Sequence, residues 1–139
     1  MKRILTLTIV FMVSIIMNAQ PLALDSIKQM QPENGLFYAL EYFDLYEPHI
    51  VYAQAVLETG HFTSNLCKRG NLFGIFDSRK KQYKTYGHWI ESVMDYRDSV
   101  QNKYKGGDYY YFLRNLPYAT DPDYINKVRR IAEKYVQYD

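Results

Sequence analysis

Apolar residues recur at steps of three and four along four separate stretches of this chain, and that spacing restricts it to a largely helical body. Leu36, Leu40 and Phe43 share one face, and Ile50, Ala53, Gln54 and Leu57 share another. Trp89, Val93, Tyr96, Val100 and Tyr104 form the longest series, and Tyr124, Val128, Ile131 and Tyr135 the last. Each series is the buried stripe of an amphipathic helix. The punctuation agrees. Pro32 and Pro48 suit the first turns of two helices, roughly Glu33 to Leu45 and Pro48 to Glu58. Gly106-Gly107 ends the third helix, and Asp108 caps a short one through Asn115. Asp121 and Pro122 supply an N-cap and a first helical residue for the last.

Residues 20–31 are a lead-in with a helical turn, and residues 61–70 read as a loop. NLFGIFD (71–77) and QYKTYG (82–87) flank the polar SRKK, so aromatic and β-branched residues lie on both sides of a turn. That pattern predicts a short β-hairpin. Lys127, Arg129, Arg130 and Lys134 fall on the solvated face of the last helix. The fold class is therefore α+β, mainly helical, with one small hairpin.

The first residues, MKRILTLTIVFMVSIIMNA, have the plan of an export signal: a basic start, an apolar run from Ile4 to Ile16, and a small residue at Ala19. The run is short for a membrane span, so a retained anchor is the weaker reading. The expected division is 1–19 as signal peptide and 20–139 as one domain. Subtracting Lys2 and Arg3 from seventeen basic residues leaves fifteen, against fifteen acidic ones. A chain so balanced lacks the basic bias of a nucleic-acid binder. Cys67 is the single cysteine, which excludes an intrachain disulfide. His49, His61 and His88 lack metal-ligand spacing. Fifteen tyrosines suit both half-buried cores and carbohydrate-binding grooves.

AQAVLETG, residues 53–60, ends a helix at Thr59-Gly60 and leaves Glu58 at its C-terminus. An acid there opposes the helix dipole. One reading is a solvated surface residue. The other is a carboxyl whose pKa is pushed up by the helix end and by partial burial against Leu57 and Phe62. A carboxyl that keeps its proton near neutral pH is what a general acid requires, as in glycosidic bond cleavage.

AQAVLETG, NLFGI (71–75), the aromatic hairpin ending at Tyr86, WIESVMDY (89–96) and YATDPDYINKV (118–128) occur in one order with compatible spacing. Taken together, the chain resembles the bacterial β-N-acetylglucosaminidases of glycoside hydrolase family seventy-three, which include autolysins and flagellar peptidoglycan hydrolases. The resemblance runs from about Ile50 to Tyr135 and implies a lysozyme-like fold, with a helical body and a small β lobe flanking a groove. It implies Glu58 as catalytic acid and Tyr118 as a groove tyrosine that matters for activity. It implies Phe73, Asn71 and Tyr86 as substrate-binding positions, although Asn71 and Gly74 also read as turn-shaping residues and Phe73 as simple packing. Trp89 reads as a core anchor and Glu91 as a first-turn acid. Several members carry a second carboxylate in or near the β lobe, and Asp77 is the acid between Glu58 and Glu91 here. Asp77 is either the base that activates water or a turn-former bonding its own backbone. If it is the latter, the substrate's 2-acetamido group supplies the nucleophile.

The expected function is an exported, monomeric hydrolase of peptidoglycan glycan strands that needs no metal or other cofactor and cleaves the β-1,4 bond after N-acetylglucosamine. Two alternatives stand beside it: a muramidase or lytic transglycosylase with the same groove, and a non-catalytic glycan-binding module. No nucleic-acid partner and no stable membrane insertion after signal cleavage are expected.

Overall fold

The computed structural model describes residues 20–116 and 120–136. The export-signal expectation for 1–19 and the role given to Tyr118 lie outside the described residues. In chain order the elements are α1 (Leu24–Lys28), α2 (Pro32–Tyr42), α3 (Pro48–Glu58), α4 (Asn65–Lys68), β1 (Phe76–Asp77), β2 (Gln82–Tyr83), α5 (Trp89–Ser99), a 3-10 turn (Gln101–Lys103), α6 (Tyr109–Asn115) and α7 (Tyr124–Val136). The architecture is mainly helical with one two-stranded antiparallel hairpin, pairing Phe76 with Tyr83 and Asp77 with Gln82.

Helix α3 runs through the middle. Ile50, Val51, Ala53, Gln54, Ala55 and Val56 are all buried, so nearly its whole circumference faces protein. A helix apolar all round needs neighbours on several sides. α7 lies along one side and α2 along another. α7 contributes Tyr124, Val128 and Ala132, and α2 contributes Leu36, Ala39 and Leu40. Burying each large aliphatic side chain contributes about 1.5–3 kcal/mol. The alanines of α3 keep the helix axes close.

α5 carries Trp89 against α2, with its indole N–H donating to the carbonyl of Met30 at 3.1 Å. Gly35 makes that approach possible. A Cβ there would sit 2.9 Å from the Met30 Cβ and 3.0 Å from the Trp89 ring. His88 caps α5 by accepting the Ile90 N–H on Nδ1 at 3.1 Å, so its Nε2 carries the proton and donates to the Lys28 carbonyl at 3.0 Å.

The structure departs from the sequence-based expectations in several places. The 61–70 segment is not all loop, because Ser64 caps the short α4 with its hydroxyl. α5 ends at Ser99 instead of running on to Tyr104. There the chain tightens into the 3-10 turn, and Gln101 is buried against the loop after α2, bonded to the Tyr46 backbone. α7 begins at Tyr124, not Pro122, because the Asp121 carboxylate accepts the Asp123 N–H at 2.9 Å and holds residues 121–123 in a turn. Tyr135 is exposed, not buried, with its ring 4.8 Å from that of Tyr52. Residues 71–75 are not strand. The Asn71 side chain accepts the Ile75 N–H at 3.0 Å and donates to the Ile75 and Lys84 carbonyls at 2.9 and 3.0 Å, which bends the segment into a turn. Among the described residues no helix is long and apolar enough to cross a membrane.

Candidate active site

Glu58 is the last residue of α3. Thr59 stops the helix by donating its hydroxyl to the Ala55 carbonyl at 2.6 Å and accepting the Phe62 N–H at 2.9 Å. Gly60, His61 and Phe62 then all take positive φ, which no helix can continue through. On the other side of the carboxyl lies the Asn71-pinned turn. Gly74 adopts φ +63°, and a Cβ on it would lie 2.7 Å from Glu58 Oε2. Both the backbone conformation and the carboxylate therefore demand glycine there.

The Tyr124 hydroxyl of α7 accepts a hydrogen bond from Gln54 Nε2 at 3.1 Å, and Tyr124 shares a cleft wall with Glu58. Burial pushes the Glu58 pKa up to about 7, while the neighbouring Tyr124 hydroxyl pulls it down. Desolvation wins because one hydroxyl replaces only part of the lost hydration. Glu58 thus spends much of its time protonated near neutral pH.

The carboxyl opens on a cleft of about 360 Å³ lined also by Leu57, Gly74, Tyr83, Thr120, Asp121, Tyr124 and Lys127. Tyr83 is exposed and offers a ring face from the hairpin. Lys127 was expected on the solvated face of α7. It lines this cleft instead and pairs with Asp121 at 2.5 Å. That pair holds the Asp121 carboxyl below the usual carboxylate range.

The other site positions fall elsewhere. Asp77 is the turn-former: its Oδ1 accepts the Arg79 and Lys80 backbone N–H groups at 3.0 and 3.2 Å. Those bonds, the Lys80 one first, hold its carboxyl below the usual range, and it is not among the cleft residues. Phe73 is fully buried with its ring 4.5 Å from that of Tyr96, so it packs in the core beneath the turn and presents no face to a sugar. Asn71 is likewise fully buried, and its amide is spent on the turn. Tyr86 donates to Asp95 Oδ2 at 2.7 Å beside Lys84 and lines a separate cleft with Cys67, Gly70 and Trp89. Among the described residues no group of three acidic, histidine or cysteine side chains is placed to hold a metal ion.

Sequence reasoning missed Gln54, Tyr124, Asp121 and Lys127 as parts of this site. The pair Gln54 and Glu58 was readable in principle. Two polar residues at i and i+4 share a face of an otherwise apolar helix. The partner of Gln54, Tyr124, is 70 residues away, beyond any local pattern.

These features define a helical domain with a carboxyl of raised pKa, Glu58, at the wall of a cleft between a helix end and a hairpin. The chain belongs to the glucosaminidase family: the family model described as mannosyl-glycoprotein endo-beta-N-acetylglucosaminidase matches residues 39–137. The resemblance carried by AQAVLETG, NLFGI and YATDPDYINKV is thereby borne out, and the chain is of glycoside-hydrolase type. No curated protein and no solved structure matches it.

Proposed function

We propose that this protein is an exported peptidoglycan hydrolase that cleaves the β-1,4 bond after N-acetylglucosamine, with Glu58 as general acid in a lysozyme-like groove. The observation that carries the reading is the Glu58 carboxyl itself: half-buried, its pKa raised to about 7, and facing a cleft. Family membership supports a glycan substrate. The basic, apolar and small-residue plan of residues 1–19 supports export to the compartment where peptidoglycan lies. The role of Tyr118 in activity is proposed on the family resemblance alone.

In this mechanism Glu58 gives its proton to the glycosidic oxygen. The C1–O bond breaks, and its electron pair stays with the departing sugar. Asp77 is held by its own turn, and both oxygens of Asp121 are engaged, by Lys127 and by the Asp123 N–H. This favours the 2-acetamido carbonyl oxygen as the group that bonds C1. Water then attacks C1, gives its proton to the Glu58 carboxylate, and displaces the acetamido oxygen with overall retention.

The test is to incubate the protein and its Glu58→Gln variant with purified peptidoglycan and read the new chain ends by mass spectrometry. Reducing N-acetylglucosamine ends from wild type alone support the reading. Reducing or anhydro N-acetylmuramic acid ends make it a muramidase or lytic transglycosylase. Binding without cleavage by either protein makes it a glycan-binding module. Proton NMR of the first-formed anomer tests the route, since inversion would require an activated water and exclude the acetamido.

A further inference from the structure

Three helices meet around a second pocket that the proposed reaction does not use. Glu33 and Phe37 stand one turn apart on α2, His49 and Tyr52 one turn apart at the start of α3, and Tyr135 lies near the end of α7. Residues three or four apart share a helix face, so each pair points the same way. Together the five line a cavity of about 220 Å³. The rings of Phe37 and His49 are 5.0 Å apart, those of Phe37 and Tyr52 6.3 Å, and those of Tyr52 and Tyr135 4.8 Å. The last two pairs meet at 63° and 68°, so the rings stand as angled walls and do not stack. The Tyr52 hydroxyl donates to the Glu33 backbone carbonyl at 3.3 Å, which ties the acid's turn of α2 to the ring wall. Glu33 and Tyr135 are both exposed, so the pocket is reached from solvent.

Glu33 is the one carboxylate in this lining, which holds no lysine or arginine. Among the described residues no ion pair forms on it, and Lys68, which shares a neighbouring cleft with it, does not come within ion-pair distance. Aromatic faces carry partial negative charge and attract cations. Elsewhere the chain meets that attraction itself: Arg129 sits 4.2 Å from the centre of the Tyr110 ring, and Arg97 5.7 Å from that of Phe43. Among the described residues no such cation covers Phe37, Tyr52 or Tyr135. The volume is below the roughly 300–1,000 Å³ of ordinary small-molecule pockets, so it suits a side-chain-sized group and not a length of glycan.

We propose that Glu33, Phe37, His49, Tyr52 and Tyr135 form a binding site for an alkylammonium group, with the carboxylate pairing its charge and the rings enclosing its chain. Such a group comes either from a free amine or from the side chain of a peptide branch on the glycan strand. Tyr52 lies six residues from Glu58, about 9 Å along α3 and about a third of a turn round it. A strand in the Glu58 cleft therefore reaches this pocket only by a branch, and three extended peptide residues span about 10 Å. The branch as source rests on the peptidoglycan reading; the ammonium site does not.

The experiment is a proton NMR titration of the full chain with n-butylammonium chloride, read on the rings of Phe37, Tyr52 and Tyr135. Saturable shifts are expected, and n-butanol, the same chain without the charge, should bind at least about threefold more weakly. Glu33→Gln should weaken butylammonium binding roughly two- to fivefold, the worth of a solvent-facing ion pair. Tyr135→Leu keeps an apolar wall, removes the ring face at an exposed position, and should cost a similar factor. No saturable shift, or equal binding of butylammonium and butanol, overturns the proposal. Equal binding by wild type and Glu33→Gln overturns the part given to the carboxylate. A soluble peptidoglycan disaccharide-peptide with a free side-chain amine, beside the same compound N-acetylated there, identifies the source. Binding tighter than that of butylammonium and lost on acetylation assigns the group to the peptide branch, and binding no tighter assigns it to a free amine. The titration needs no turnover. Butylammonium binding without hydrolysis keeps the pocket and refutes the hydrolase, and hydrolysis without butylammonium binding does the reverse.

Discussion

The C-terminus of α3 and the turn of the hairpin each present one carboxyl group, and the two regions treat it in opposite ways. At the helix end, Glu58 is enclosed by α7 and the 71–75 turn, and burial raises its pKa to about 7. At the hairpin turn, Asp77 faces solvent, accepts two backbone N–H groups, and is held below the usual carboxylate range. The chemical group is the same in both. One environment strips hydration from the carboxyl and so keeps the proton. The other offers two donors in water and so releases it. A short acid count in a sequence therefore says little about which acid reacts.

The largest effect that separates the two regions is loss of Glu58. A positioned general acid is worth roughly 10²–10⁴-fold in rate, so Glu58→Gln should cost at least about 100-fold in reducing-end release. The variant should stay folded, since glutamine matches the neutral form the site prefers. A loss below roughly tenfold would remove Glu58 from its role.

The next test reads the same carboxyl through stability. The folded-state pKa of Glu58 is raised above its value of 4.5 outside the fold. The native state therefore binds more protons than the unfolded chain between about 4.5 and 7. The stability linked to this group is fully present below that window and is lost as pH rises through it. The loss amounts to at most about 3 kcal/mol. Denaturant melts of wild type and Glu58→Gln across this range should show the slope in wild type alone. Parallel curves would mean that the carboxyl is not buried as described.

Gly74→Ala sharpens the comparison from the hairpin side. The new methyl would have to occupy space 2.7 Å from Glu58 Oε2, at a backbone φ of +63°. The left-handed conformation alone costs about 1–2 kcal/mol for alanine. Displacing the carboxyl should lower the rate roughly ten- to a hundredfold. A variant with wild-type rate and a normal melting temperature would show that the turn does not set the position of Glu58.

How far these two regions could be read in advance depends on how local their determinants are. Glu58 stood out because its placement at a helix end runs against the dipole, and the stop at Thr59-Gly60 was written in the residues beside it. The Asp108 cap and the hairpin were local as well. For Phe73 and Asn71 the sequence left a packing or turn-shaping role open beside a substrate-binding one, because burial is a property of what covers a residue. Phe73 is covered by Tyr96, which comes from α5, and the Asn71 amide reaches the Lys84 carbonyl across the hairpin. The early end of α5 has the same origin. Gln101 leaves the helical series for a partner 55 residues away, and tertiary bonding overrides periodicity there.

Asp77→Asn should have the smallest effect, and it is the most pointed attempt to break the contrast. An asparagine oxygen can accept the Arg79 and Lys80 N–H groups as the carboxylate does, so the turn survives while the charge is lost. The rate on peptidoglycan should equal that of wild type. The sign of its pH dependence is opposite to that of Glu58: a depressed carboxyl stabilises above its unfolded pKa, and its contribution fades as pH falls through its folded one. Amide hydrogen exchange at Arg79 and Lys80 should therefore accelerate in acid, relative to intrinsic rates, in wild type and stay flat in Asp77→Asn. A hundredfold loss of rate in Asp77→Asn with an intact turn would place both carboxyls on the reaction path. The two regions would then be a base and an acid of one inverting site, and the acetamido route would fall with the contrast.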